Sequence, residues 1–153
     1  MTIEDRNLLL KDLSGRLPYG VKCLVNYTFC NETTDYEDVK SSAVDTIITI
    51  NKQTEDYFFE RISEWFDVDE FKPYLFPLSS MTEEQRLEIE ILTNGKIGID
   101  QDSLWDLTGY CELYISTTLE LIQWLYKNHF DIYGLIPKGL AIDATGLNIY
   151  TNK

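Results

Sequence analysis

From Val21 to Ile50 the chain is written largely in residues that suit a β-sheet, and that stretch limits the fold more than any other. Val21, Cys23, Val25, Tyr27 and Phe29 occupy alternate positions. They therefore share one face of a strand, while Lys22, Asn26 and Thr28, with Leu24 among them, point the other way. Val44, Thr46, Ile47, Ile48, Thr49 and Ile50 form a β-branched run whose stiff side chains pack well on a pleated surface. Polar residues 30–42 separate the two as a loop and residues 51–56 read as a turn. Tyr57, Phe58 and Phe59 then open a third strand that ends near Ile62. Three consecutive strands joined by loops most simply pair as an antiparallel meander, either open or curled into a small partly open barrel.

Helical signals flank this section. Thr2 is a candidate N-cap, with Glu4 and Asp5 in the first turn, where the helix dipole favours acids. Ile3, Leu9, Leu10 and Leu13, widened by Leu8, recur at helical spacing, and Ser14, Gly15 and Pro18 end the segment. Asp67 and Glu70 stand at capping-box spacing and predict one short helical turn that Pro73 blocks. Thr82 and Gln85 form a capping box for a second long helix, with Ser80 and Glu83 as a competing register. Leu87, Ile91 and Leu92 are its expected buried face, and Asn94-Gly95 its end. Residues 96–107 carry no single pattern. Ser103 caps a short helix there on one reading, and Tyr110 to Ile115 reads as a strand. Thr117 and Glu120 open a last helix running to about Asn128, with Leu119, Leu121, Ile122, Trp124 and Leu125 as its apolar set. Turns around Gly134, Pro137, Gly139 and Gly146 fill the tail. The expected fold is α+β over one domain, residues 1–153, with the meander packed by about three α-helices.

Charge bounds the partners. Of 26 acidic residues, 16 fall between positions 31 and 90, against 5 of the 13 basic ones, so most of the net charge of −13 lies in that stretch. Such a field disfavours nucleic acid and anionic membranes, both polyanions, as direct partners. A basic protein or a second copy of the chain is the partner it allows. Ten Tyr, seven Phe and three Trp argue for a packed core rather than disorder. Cys23, Cys30 and Cys111 show no metal-type spacing, and their odd number precludes a complete disulfide framework, which suits free thiols in a reducing compartment. The start of the chain has no apolar signal region, and no apolar run approaches the ~20 residues of a membrane helix. A cytoplasmic location is expected.

No pattern of catalytic residues emerges. His129 is the chain's one histidine, so a two-His metal site cannot form within one molecule. Its place near a helix C-terminus suits a capping role, where the dipole favours a cation. Pairing with one of the cysteines as a nucleophile has no spacing to support it. Asp100-Gln101-Asp102-Ser103 has some of the character of a calcium loop but lacks the glycine and distant Glu of an EF-hand. No phosphate-binding glycine pattern and no Gly-x-Ser-x-Gly elbow occur. Nothing here calls for a cofactor or a metal. The acids without a local structural role are Glu32, Asp35, Glu37 and Asp38, and Glu55, Asp56, Glu60 and Glu64 around the third strand. If the meander unites these two groups, they form a partner-binding acidic patch.

Three segments carry a likeness: Arg16 to Cys23 (RLPYGVKC), Lys72 to Gln85 (KPYLFPLSSMTEEQ) and Trp124 to Ala144 (WLYKNHFDIYGLIPKGLAIDA). In them the chain resembles small uncharacterised proteins of gut Bacteroidetes and their phages or mobile elements. The resemblance implies a bacterial or phage cytoplasmic setting and no activity. The expected function is therefore a noncatalytic protein-interaction or regulatory module. The alternatives are a nucleic-acid mimic that blocks a basic DNA-binding protein, or a hydrolase using a carboxylate pair and a hard divalent metal.

Overall fold

A computed structural model of the chain describes residues 2–31, 37–51, 56–59, 67–95, 97–100, 103–106 and 115–150. Its elements run α1 (Ile3–Arg16), β1 (Lys22–Asn31), β2 (Glu37–Asn51), β3 (Asp56–Phe59), β4 (Asp67–Leu75), α2 (Glu83–Leu92), β5 (Ile97–Asp100), β6 (Ser103–Asp106), α3 (Ile115–Lys127) and β7 (Ile142–Asp143), with short 3-10 turns at Leu17–Tyr19 and Leu78–Ser80. The fold is α+β. The antiparallel β1–β2–β3 meander is present, but the open sheet is larger than three strands, in the order β3-β2-β1-β4-β7. β1 is its centre, because β4 pairs antiparallel along the edge that β2 leaves open.

The alternation in β1 is realised. Val21, Cys23 and Val25 are fully buried, and Ile47 of β2 joins them in the core. β2 starts seven residues earlier than its β-branched run, pairing Glu37 with Asn31 and Asp38 with Cys30. The backbone groups of β1 need partners whatever side chains the neighbouring strand carries. Asp38, Lys40 and Ser42 are tolerated there because they are exposed.

Residues 67–75 form a strand, not the helical turn that the capping-box spacing suggests. The open edge of β1 supplies hydrogen-bond partners for a whole strand, which outweighs a single local cap. Pro73 sits opposite Cys23, and β7 begins to pair only at Tyr74. Position 73 is thus on an edge, where a missing N–H is harmless. Ser103–Asp106 likewise pairs with Ile97–Asp100 as a hairpin and not as a capped helix. The expected strand at 110–115 falls mainly outside the described residues.

α1 and α2 start where their capping boxes place them. Thr2 accepts from the Asp5 amide while Asp5 reaches back to the Thr2 amide. Thr82 and Gln85 repeat the exchange. α3 begins at Ile115, two residues before its expected cap. α1 runs through Ser14 and Gly15 to Arg16, past its expected stop. Gly15 serves packing: a Cβ there would overlap the Tyr126 ring of α3. α2 buries Ile89, with Leu92 beside it, and leaves Leu87 and Ile91 outside. Both sides of this helix carry apolar residues, and contact with α3 and β5 selects the Ile89 side.

Two apolar clusters result. One joins α1 to the sheet through Leu9, Leu13, Val21, Val25, Leu75 and Leu135. The other joins α2, α3 and β5 through Ile89, Ile97, Leu121, Leu125 and Phe130. Between them lies an ion pair with no solvent exposure. Arg16 Nε and Nη2 donate to Asp12 at 2.6 and 2.8 Å, and Nη2 also donates to the Phe130 carbonyl at 2.5 Å. Burial pushes the Asp12 pKa up, and the Arg16 guanidinium opposes that rise. Removing one partner strands a buried charge, so Asp12→Ala is expected to cost about 3–5 kcal/mol in urea unfolding. Asp12→Leu with Arg16→Met, which removes both charges, is expected to recover most of that loss. Gly15→Ala is expected to cost about 1–3 kcal/mol by overpacking against Tyr126.

Candidate functional site

The site forms where α3 ends. Tyr126 accepts from the His129 amide at 3.1 Å, and His129 takes a left-handed conformation, φ 59°, that stops the helix. The next residues are clamped to the sheet side. Phe76 N donates to the His129 carbonyl at 2.9 Å and Asp131 N donates to the Phe76 carbonyl at 2.8 Å. Buried Asp131 then holds the following turn by accepting from the Leu135 and Ile136 amides at 2.9 and 2.8 Å. Phe130 stacks on Trp124, with ring centroids 5.8 Å apart.

The tail closes the other side. The Tyr150 ring stacks on the His129 imidazole, with centroids 3.8 Å apart and planes 11° from parallel. Its hydroxyl donates to the Tyr74 carbonyl at 2.7 Å and accepts from the Lys22 amide at 3.2 Å. Lys22 Nζ donates to the Ile149 carbonyl at 2.7 Å. These contacts border a cleft of about 640 Å³ lined by Tyr19, Gly20, Lys22, Phe76, Ser80, Thr82, Gln85, Lys127, Asn128, His129, Phe130 and Tyr150. In a chain with twice as many acids as bases, this lining holds two lysines and no Asp or Glu among the described residues.

His129 is 8% exposed. Burial, with the Arg16 and Lys22 charges adding to it, pushes its pKa down from 6.5 to about 4. The imidazole is therefore neutral at pH 7. The capping role expected of His129 is met by its backbone, and the expected cation at the helix end is not: desolvation outweighs the dipole. Its Nδ1 is buried without a hydrogen-bond partner among the described residues. A nucleophilic pair with Cys23 has no basis either, since that thiol is buried and burial, ahead of Asp45, raises its pKa. The side chains of Cys30 and Cys111 lie outside the described residues.

The acidic patch is only partly visible. Glu32, Asp35, Glu55, Glu60 and Glu64 lie outside the described residues. Glu37 and Asp38 start β2, while Asp56 starts β3 opposite Asn51, the last residue of β2. The described members thus sit at opposite ends of one long strand, and the meander does not bring them together. Of the calcium-like loop, Asp100 and Ser103 pair across the β5–β6 hairpin, and the two residues between them are outside the described set. Among the described residues no group of three or more His, Cys, Asp or Glu is placed to hold a metal ion. No helix among them is long and apolar enough to cross a membrane.

No local pattern in the sequence marks the cleft. Its lining comes from three stretches, residues 19–22, 76–85 and 127–130, joined by Tyr150. Lys22 reads locally as the outward side of a strand and Tyr150 as part of a turn-rich tail, so neither signals a shared site. No protein-family model, curated protein or solved structure matches the chain.

Neutral burial of His129 links stability to pH. The unfolded imidazole takes a proton near 6.5 and the folded one only near 4. Between those values the unfolded state binds more protons, so this contribution to stability is complete above pH 6.5 and is lost as pH falls toward 4. The loss is expected to reach roughly 3 kcal/mol. Urea unfolding between pH 7 and 4 should show it. His129→Asn, which tolerates the left-handed backbone and does not titrate, should flatten that part of the slope.

Proposed function

We propose that this chain is a small noncatalytic interaction or regulatory module of a bacterial or phage cytoplasm, and that it docks a basic partner on the outer face of α2. The observation that carries this reading is the pair Leu87 and Ile91, one turn apart and 56% and 70% exposed. Glu83, Glu84, Glu88 and Glu90, all exposed, surround them on the same helix. Apolar anchors within a charged rim suit a segment that presents apolar side chains flanked by Lys or Arg.

The face is preorganised, which lowers the entropic cost of docking. The capping box fixes the start of α2, Ile89 anchors its inner side, and Trp124 Nε1 donates to Glu88 at 3.0 Å. A second copy docking through the same face would set these glutamates against their counterparts, which disfavours self-association there.

The alternatives gain less support. A nucleic-acid mimic needs acids aligned on one surface, and the described members of the predicted patch are apart. A hydrolase needs an available carboxylate pair. The buried carboxylates that influence one another, Asp12 and Asp131, are committed to Arg16 and to the Leu135 and Ile136 amides.

Leu87→Ser with Ile91→Ser removes the anchors from an exposed surface, so stability should change by less than about 0.5 kcal/mol per site. A basic protein retained by the full chain in a bacterial lysate should, once purified, bind this variant at least about tenfold more weakly by calorimetry. Glu83→Lys with Glu90→Lys should weaken it as well, and added salt should reduce the difference. Retention undiminished in both variants would overturn the reading. So would light scattering that shows a dimer dispersed by Leu87→Ser.

A further inference from the structure

We propose that the cleft between the end of α3 and the start of β1 is a binding site for a small organic anion, one that carries a phosphate or carboxylate head on an aromatic-sized body. Its volume of about 640 Å³ falls in the range of small-molecule sites. Charge selects the head group. Lys22 and Lys127 are the basic side chains in the lining, and no carboxylate accompanies them among the described residues.

The available donors agree. Lys22 Nζ gives one N–H to Ile149, and an ammonium group has three, so two remain without a partner among the described residues. Gln85 uses its Oε1 to accept from the Thr82 amide, which leaves its NH₂ group uncommitted among the described residues. His129 forms part of the wall and is nine-tenths buried; its Nδ1 is closed off from solvent, so the ring bounds the cleft and supplies no donor to it. Burial lowers the pKa of this ring most, and the nearby Arg16 and Lys22 charges lower it further. Phe76, Phe130 and Tyr150 supply apolar surface for the body of the ligand.

The α2 N-terminus adjoins the cleft but is not the anion holder. Thr82 and Gln85 form its capping box, and Glu84 bonds there too, which lowers the pKa of that carboxyl. Recognition rests on the lysines and on the wall between them. This site is separate from the outer face of α2, so its test does not depend on a protein partner.

His129 is the single histidine, so its ring resonances report on the cleft without assignment from other imidazoles. The full chain is titrated by NMR with phenyl phosphate, with benzoate, and with neutral benzamide at matched ionic strength. Saturable movement of the His129 signals is expected with phenyl phosphate or benzoate and not with benzamide, and the tighter arm identifies the head group. In Lys22→Gln with Lys127→Gln, affinity is expected to fall at least about tenfold. If loss of the Lys22 contact to the tail unfolds that variant, the exposed Lys127→Gln alone is the deciding protein and should weaken binding at least about threefold. No saturable shift up to ~10 mM of either anion, a weakest-binding limit of a few kcal/mol, overturns the proposal. Equal movement with benzamide, or an unchanged Kd in the folded lysine variant, does so too.

Discussion

A fully buried guanidinium holds the two halves of the core to one another. Arg16 leaves the last turn of α1, pairs with Asp12 one turn back, and reaches the Phe130 carbonyl, 114 residues away. Leu9 and Leu13 of the same helix belong to the cluster on the sheet, while Phe130 belongs to the cluster of α2 and α3. An apolar side chain at position 16 would fill space without fixing where the Phe130 backbone lies. The ion pair does fix it, because a buried charge tolerates few arrangements. Arg16 also lies over the Tyr126 ring, 4.9 Å from its centroid, beside the close approach that Gly15 permits.

That constraint sets the geometry of the cleft. With the Phe130 carbonyl held from α1, the Phe76–Phe130 bridge positions His129 against the incoming tail, and Tyr150 stacks on it. The Tyr150 hydroxyl lies between the Tyr74 carbonyl and the Lys22 amide, so one side chain joins β4 to the start of β1. A region that is basic by local composition thus arises in an acidic protein. Glu83, Glu84, Glu88 and Glu90 gather on α2, while the start of β1 and the end of α3 bring Lys22 and Lys127 to the cleft.

Much of the fold was legible in the residues, and what was missed has identifiable causes. The α+β class, the starts of α1 and α2 and the buried face of β1 follow from spacing. Gly15 misled because a glycine inside a helix looks like a stop until a neighbouring ring accounts for it. Asp67 and Glu70 misled because a cap signal is worth about 1 kcal/mol, less than the backbone pairing along β1. Leu87 and Ile91 misled because α2 is apolar on more than one side, and periodicity does not choose between sides. The cleft was illegible because Lys22, Lys127, His129 and Tyr150 have ordinary sequence neighbours and meet only when the chain closes.

The sequence by itself determined what is settled within one turn of helix or one strand. Thr2 with Asp5 and Thr82 with Gln85 exchange hydrogen bonds across three residues, and Val21, Cys23 and Val25 share a face because a strand repeats every two residues. The tertiary structure decided the fourth and fifth strands of the sheet, the side of α2 that faces inward, the neutral state of His129 and the existence of a lysine-lined cleft. Each of these depends on contacts between distant residues, such as Tyr150 with Lys22 across 128 positions, and on the desolvation that only a closed core imposes.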